Sequence, residues 1–255
     1  MALFNDGPMS DAADLQRCEN SILNVASAEG IDLGAKIVLA QQDLASEVLL
    51  FLFRRSAVRD CALGSRRSRG VSDVVVTETL QKWHIHKSLA LVYRDAYDNQ
   101  LNDRYLGKWT EYEQLAKASK QTYFQLGVAV VADPVPKAPA PMLASVPGTA
   151  AGGMFYVAVT WVNGSNEEGS PSNFAQLGTS NGQQLMVSVA GAPQNVTSWN
   201  VYAGTSPNDL SLQNPSPLGI SEGWTMASAV EAGAPLPRGQ QPTWFMVDHR
   251  VIERG

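Results

Sequence analysis

The chain is poor in the residues that most chemistry needs. It has 2 cysteines and 3 histidines in 255 residues. Two cysteines, Cys18 and Cys61, cannot make a disulfide framework, so a reduced, intracellular assembly site is expected. Charged residues make up 17%, below the usual quarter, but 44% hydrophobic residues suffice for a core, which argues against wholesale disorder. The formal charge of −5 argues against a free-standing nucleic-acid binder, though not against a local basic patch. No apolar run reaches the length of a membrane span; the richest, Val48 to Phe53, ends at Arg54-Arg55 and reads as a buried helix end. The opening residues lack a basic start and a long apolar stretch, so no secretion signal is expected.

What is present divides into two unlike halves. The first 140 residues hold 16 of the 19 basic and 17 of the 24 acidic side chains. Near the border, four prolines fall between Pro134 and Pro141 and predict a stiff linker. The expected division is a helical domain over 1–132, a linker over 133–150, a β-sandwich over 151–240 and a tail over 241–255. The fold class is thus α+β multidomain, with an N-terminal helical bundle before an immunoglobulin-like sandwich.

About four helices are expected. Leu15, Cys18, Ile22 and Val25 share a helical stripe behind Ser10/Asp11, and Gly30 ends that helix. Asp32 caps the second, which carries Ile37, Leu44, Val48 and Leu52. A third runs from about Thr77 with Ile85, Leu89, Val92 and Ala96, and a fourth spans about 103–126 with Tyr105, Trp109, Tyr112, Ala116 and Tyr123. In the second half, Phe155, Val157, Val159 and Trp161 alternate, as do Leu185, Val187 and Val189, and Trp199, Val201 and Ala203. Turn signals such as Asn163-Gly164 and Asn181-Gly182 separate them, which suggests a small sandwich.

Catalytic patterns are missing. His84 and His86 are two apart on a helix and point in different directions, so they cannot clamp one ion. There is no G-x-S-x-G elbow and no phosphate loop. Cys18 is expected in the core; Cys61, beside Arg59 and Asp60, is the more exposed thiol. Glu167-Glu168 reads as a solvent-facing pair, and the Asn195-Val196-Thr197 sequon has little meaning without a secretion signal. No catalytic, cofactor-binding or metal site is expected.

Two segments invite an interaction. Arg54, Arg55, Arg59, Arg66, Arg67 and Arg69 lie in what reads as a long loop between the second and third helices, with Asp60 the only acid among them. Such a loop either contacts phosphates or an acidic partner, or pairs with nearby acids. Six arginines are too few for strong DNA binding by one copy, but a ring multiplies them around an axis. The tail holds Trp244, Phe245, Met246, Val247, Val251 and Ile252. It either completes its own sheet or anchors in a partner's groove, and Pro235, Pro237 and Pro242 favour the partner by keeping it extended.

The helical half resembles the head–tail connector (adaptor) proteins of tailed bacteriophages. The resemblance lies in Leu80-Gln81-Lys82-Trp83-His84-Ile85-His86-Lys87-Ser88-Leu89-Ala90 and Asp103-Arg104-Tyr105-Leu106-Gly107-Lys108-Trp109-Thr110-Glu111-Tyr112. The second half resembles the immunoglobulin- or fibronectin-type modules of phage structural proteins, on Tyr156–Asn163, Glu168-Gly169-Ser170-Pro171-Ser172 and Trp199-Asn200-Val201-Tyr202-Ala203-Gly204-Thr205. Together these resemblances imply a structural virion protein, not an enzyme, without cofactors. They imply a homo-oligomeric ring, dodecameric in the family, that joins the portal to the tail and continues the DNA channel. Implied partners are the portal protein, a tail-side ring or tail-terminator protein, further copies of itself and passing double-stranded DNA, with no membrane. The implied location is the capsid–tail junction, after assembly in the host cytoplasm. The alternatives are a phage-surface module binding carbohydrate through Trp161, Trp199 and Trp224, another head-completion or tail-terminator ring, or a hydrolase using Glu167 or Glu168.

Overall fold

The computed structural model describes residues 1–63, 69–100 and 103–247, with the side chains of 55–63 and 100 outside that description. Five helices come first: α1 (Ala12–Cys18), α2 (Ile22–Glu29), α3 (Leu33–Leu63), α4 (Glu78–Gln100) and α5 (Leu106–Leu126). Ten strands follow: β1 (Val128–Val130), β2 (Met142–Pro147), β3 (Gly153–Asn163), β4 (Ala175–Thr179), β5 (Gln183–Ser188), β6 (Val196–Gly204), β7 (Ser211–Leu212), β8 (Leu218–Gly219), β9 (Trp224–Thr225) and β10 (Trp244–Met246). The chain folds as two units, one of residues 7–131 and 242–255, the other of 1–6 and 132–241.

The helical unit is organised by apolar stripes and closed by caps. Asp11 caps α1 in a reciprocal box with Asp14, and Gly30 ends α2 in the left-handed region at φ 65°. The expected first helix is broken in two at Glu19, whose backbone is extended. The cause is tertiary. Lys108 pairs with the Glu19 carboxylate at 2.9 Å, Tyr112 donates to it at 3.0 Å and Ser21 at 2.8 Å. Those contacts pin Glu19 to α5, and a continuous helix would lift it away. Burial pushes the Glu19 carboxyl up, but these three donors and the Lys108 charge outweigh it and leave it below its ordinary value. Leu15, Ile22, Ile37, Leu89, Val92, Ala96, Tyr105 and Tyr112 share one core. Cys18, expected inside it, is exposed. The break after α1 removes it from the stripe.

The second unit is a sandwich of antiparallel sheets, ordered β2-β5-β9 and β4-β3-β6-β7, with β8 also on β6. In the central pair Val157 opposes Ala203, Val159 opposes Val201 and Trp161 opposes Trp199. All six are buried, and with Phe155, Leu185 and Val187 they form the inter-sheet core. The residues expected as a linker are part of this unit. Val135, Ala138 and Ala150 lie in the core and β2 pairs with β5 along its whole length. Proline there breaks helices but is tolerated at the sheet edge, where β2 lies. Residues 1–6 belong here too, through a 2.8 Å bond from the Lys137 amide to Asp6 Oδ1.

Candidate interaction site

The six arginines do not share one loop. Helix α3 continues to Leu63, so Arg54, Arg55 and Arg59 lie on a helix. The physical reason is in the residues: 54–63 contain neither glycine nor proline, and arginine, alanine and leucine are good helix formers. Arg54 is exposed. The side chains of Arg55 and Arg59 lie outside the described residues, as do Arg66 and Arg67 entirely.

Arg69 is held at home. Its guanidinium donates to the Val131 carbonyl at 3.1 Å and lies 4.2 Å from the centre of the Trp244 ring. A cation over an aromatic face is worth roughly 0.5–2 kcal/mol. A short turn follows, in which the Gly70 amide donates to Asp73 at 3.0 Å, and Val74 bridges to Val130.

The first described part of the tail also folds back. As β10, Trp244–Met246 pairs antiparallel with β1, with Trp244 opposite Val130 and Met246 opposite Val128. Of the two outcomes weighed for the tail, completion of the chain's own sheet is the one observed over 244–246. The prolines before it keep it extended, and an extended segment can pair with its own chain as well as with a partner's. Strand alternation then sorts its side chains: Met246 is buried and Trp244 half-buried, while Phe245 is 55% exposed. Val247 packs at Gly127. Val251 and Ile252 lie outside the described residues.

Gly127 is the hinge pin of this ribbon. Its φ is +102°, and a Cβ there would sit 2.8 Å from Val247 Cγ1 and 3.2 Å from the Met246 carbonyl. Both backbone strain and collision disfavour a side chain. Gly127→Val is therefore expected to detach β10 and to cost about 2–4 kcal/mol. Limited proteolysis reads this directly, through faster cleavage after Trp244 and Phe245 than in the parent chain.

The two central histidines serve packing. His84 is fully buried; its Nε2 donates to the Ile37 carbonyl at 3.0 Å, and its Nδ1 accepts from the Ser10 hydroxyl at 2.7 Å. His86 instead meets Ser119 of α5 at 2.9 Å. They face different elements, and among the described residues no group of three or more His, Cys, Asp or Glu is placed to hold a metal ion. Burial is the main reason both titrate below their ordinary value, offset for His84 by Ile37 and Asp14 and for His86 by Leu115. The unfolded chain binds these protons near pH 6.5 and the folded chain only lower. Stability is therefore full above about pH 6.5 and declines as the pH falls towards the folded values. The urea midpoint at 222 nm is expected to drop between pH 7.5 and 5.5, a window in which ordinary carboxylates stay ionised. In His84→Gln the drop should shrink.

The remaining candidates are absorbed into the sandwich. Glu168 Oε1 receives Thr160 Oγ1, Asn200 Nδ2 at 2.9 Å and the Tyr202 hydroxyl at 2.8 Å. Glu167 receives Asn163 at 2.8 Å and Gln240 at 2.9 Å. The pair expected to face solvent is thus a set of structural acceptors. Nδ2 of Asn195, where a glycan would attach, donates to both Asp133 and Pro134 at 2.8 Å. Trp161 and Trp199 are buried and Trp224 is half-buried, which removes the proposed sugar platform. No helix among the described residues is long and apolar enough to cross a membrane.

Residues that the sequence did not single out also stand at the surface. Val38, Leu50 and Phe53 of α3 are each about half exposed, although 48–53 read as a buried helix end. That run is apolar on every side, so periodicity alone could not show that Val48 and Leu52 are buried while Leu50 and Phe53 face out. No protein-family model and no curated protein matches this sequence.

Proposed function

We propose that the chain is a structural ring protein of a tailed-phage virion, joining the portal to the tail and continuing the DNA channel. The observation that carries this reading is the placement of its two resemblances. The segment 80–90 lies on α4 and 103–112 runs through the N-cap of α5 into that helix; buried Tyr93, Tyr105 and Tyr112 pack together there, with Tyr93 and Tyr112 stacked at 5.6 Å. The sandwich segments fall on a separate unit. A helical unit with its own core and a second, independently cored module suit a part that acts by contact.

The partners of this reading are the portal, a tail-side ring and further copies of the chain, in a ring of about twelve by the resemblance. Exposed Arg54 and Phe245 are its first contact candidates, together with Arg55, Arg59, Arg66 and Arg67. Native mass spectrometry of the chain, alone and mixed with its cognate portal, tests the proposal. A closed ring or stoichiometric capture is expected. Neither species across a range of salt would overturn it.

A further inference from the structure

The long helix α3 carries a face with no charge on it. Its charged residues between 33 and 53 are Lys36, Asp43 and Glu47. They pair with Asp95, Lys87 and Lys120 of α4 and α5, away from that face. At about 100° per residue, Ala35, Gln42, Ser46 and Phe53 fall within roughly 20° of one line, with Val38 and Leu50 flanking it. All six are exposed.

The face differs in size at its two ends. At its start an open hollow of ≈ 530 Å³ is lined by Ala35, Val38, Leu39 and Gln42, with the charged Asp32 and Lys36 among the others. At its end stands Phe53, 53% exposed. The knob is some 27 Å from the hollow along one rigid helix, so the two cannot meet within a chain.

We propose that this face binds a second copy of the chain, helix against antiparallel helix about a two-fold axis near the level of Asp43 and Leu44. That axis sets Phe53 of the second copy over Ala35 and its hollow, Leu50 over Val38 and Ser46 over Gln42. The Phe53–Ala35 pairing matches bulk with space, the Leu50–Val38 pairing joins two exposed apolar side chains, and the symmetry makes each twice. The ends match in charge as well: exposed Asp32 comes within two residues of the level of exposed Arg54 of the second copy. Opposed helix dipoles favour the same orientation. An isologous contact closes at two copies and does not propagate. It therefore stands apart from the ring reading and describes a state of the free chain.

One helix face some 30 Å long and 10 Å wide covers less than the ~800 Å² per partner of a standard interface, so a dissociation constant on the order of micromolar is expected. Sedimentation equilibrium of the full chain should give a monomer–dimer equilibrium. Phe53→Glu should weaken it at least about tenfold, and Ala35→Phe, which fills the hollow, should do the same. The double variant Ala35→Phe/Phe53→Ala, which exchanges knob and hollow, should restore the dimer. Leu126→Glu, an exposed change on α5, should leave it unaltered. Both positions of the exchange are exposed, and circular dichroism confirms folding of each variant. The proposal is overturned by a chain that stays monomeric about a hundredfold above the expected constant, by a dimer indifferent to Phe53→Glu, or by a higher-order ring that Phe53→Glu disrupts.

Discussion

Replacing Glu168 by alanine is expected to destabilise the sandwich by about 3–5 kcal/mol, a large share of the roughly 5–15 kcal/mol that holds an ordinary domain folded. One carboxylate oxygen satisfies three donors, from Thr160, Asn200 and Tyr202. All three donor residues are buried, with exposures of 0%, 8% and 3%. Alanine leaves each of them unpaired inside, at roughly 1–3 kcal/mol apiece before relaxation. Asn200 extends the damage. Its Oδ1 accepts from Asn214 at 2.9 Å, and Asn214 Oδ1 accepts the Val201 amide at 2.7 Å. Glutamine keeps one acceptor oxygen, so Glu168→Gln should cost less than half as much. Hydrogen exchange in β3 and β6 is the direct measurement. Protection there should collapse in the alanine variant while the helices keep theirs; unchanged protection would refute the assignment.

The same network shows what kind of information the sequence held. The segments 168–172 and 199–205, two of those quoted for a resemblance, meet in space through Glu168, Asn200 and Tyr202. At those positions the residue types supply a hydrogen-bond arrangement that ties β6 to the segment after β3. Strand alternation was legible wherever one face is buried: Phe155, Val157, Val159 and Trp161 all lie in the core. Helix ends written in local chemistry were equally legible, at Asp11, Gly30 and Thr77, whose hydroxyl accepts the Leu80 amide.

What escaped depended on contacts distant in sequence. Glu19 breaks a continuous stripe because Lys108 and Tyr112, some ninety residues later, hold it. The proline-rich border joined the sandwich because β5 lies beside it, and no local rule supplies that neighbour. The fold-back of the tail over 244–246 escaped for the same reason. Trp244 finds β1 and Arg69 within its own unit, so of the tail's three strand residues only Phe245 remains outside. Apolar runs such as 48–53 mark burial on average, but they cannot say which of their faces lacks a partner.

Trp83→Ala is expected to be the most damaging single change in the helical unit. The indole is 2% exposed and packs against Tyr123 and Phe124, with ring centres 5.8 and 5.7 Å away. Truncating a buried tryptophan removes its transfer energy and leaves a cavity that rigid neighbours cannot fill, about 3–5 kcal/mol in all. For a unit of this size the melt at 222 nm should move down by roughly 10–20 °C. Its neighbour predicts the opposite sign. Tyr123 is fully buried, and its hydroxyl has no hydrogen-bond partner among the described residues. Burial alone drives that phenol well above its ordinary titration range. A hydroxyl taken out of water without a partner costs about 1–3 kcal/mol, and phenylalanine fills the same space without that cost. Tyr123→Phe should therefore raise the midpoint by several degrees. Size and polarity act separately in this core: the indole stabilises by filling space, and the adjacent hydroxyl opposes it. Equal losses in both variants would mean that the Tyr123 hydroxyl is solvated or bonded, and the core would have to be redrawn around it.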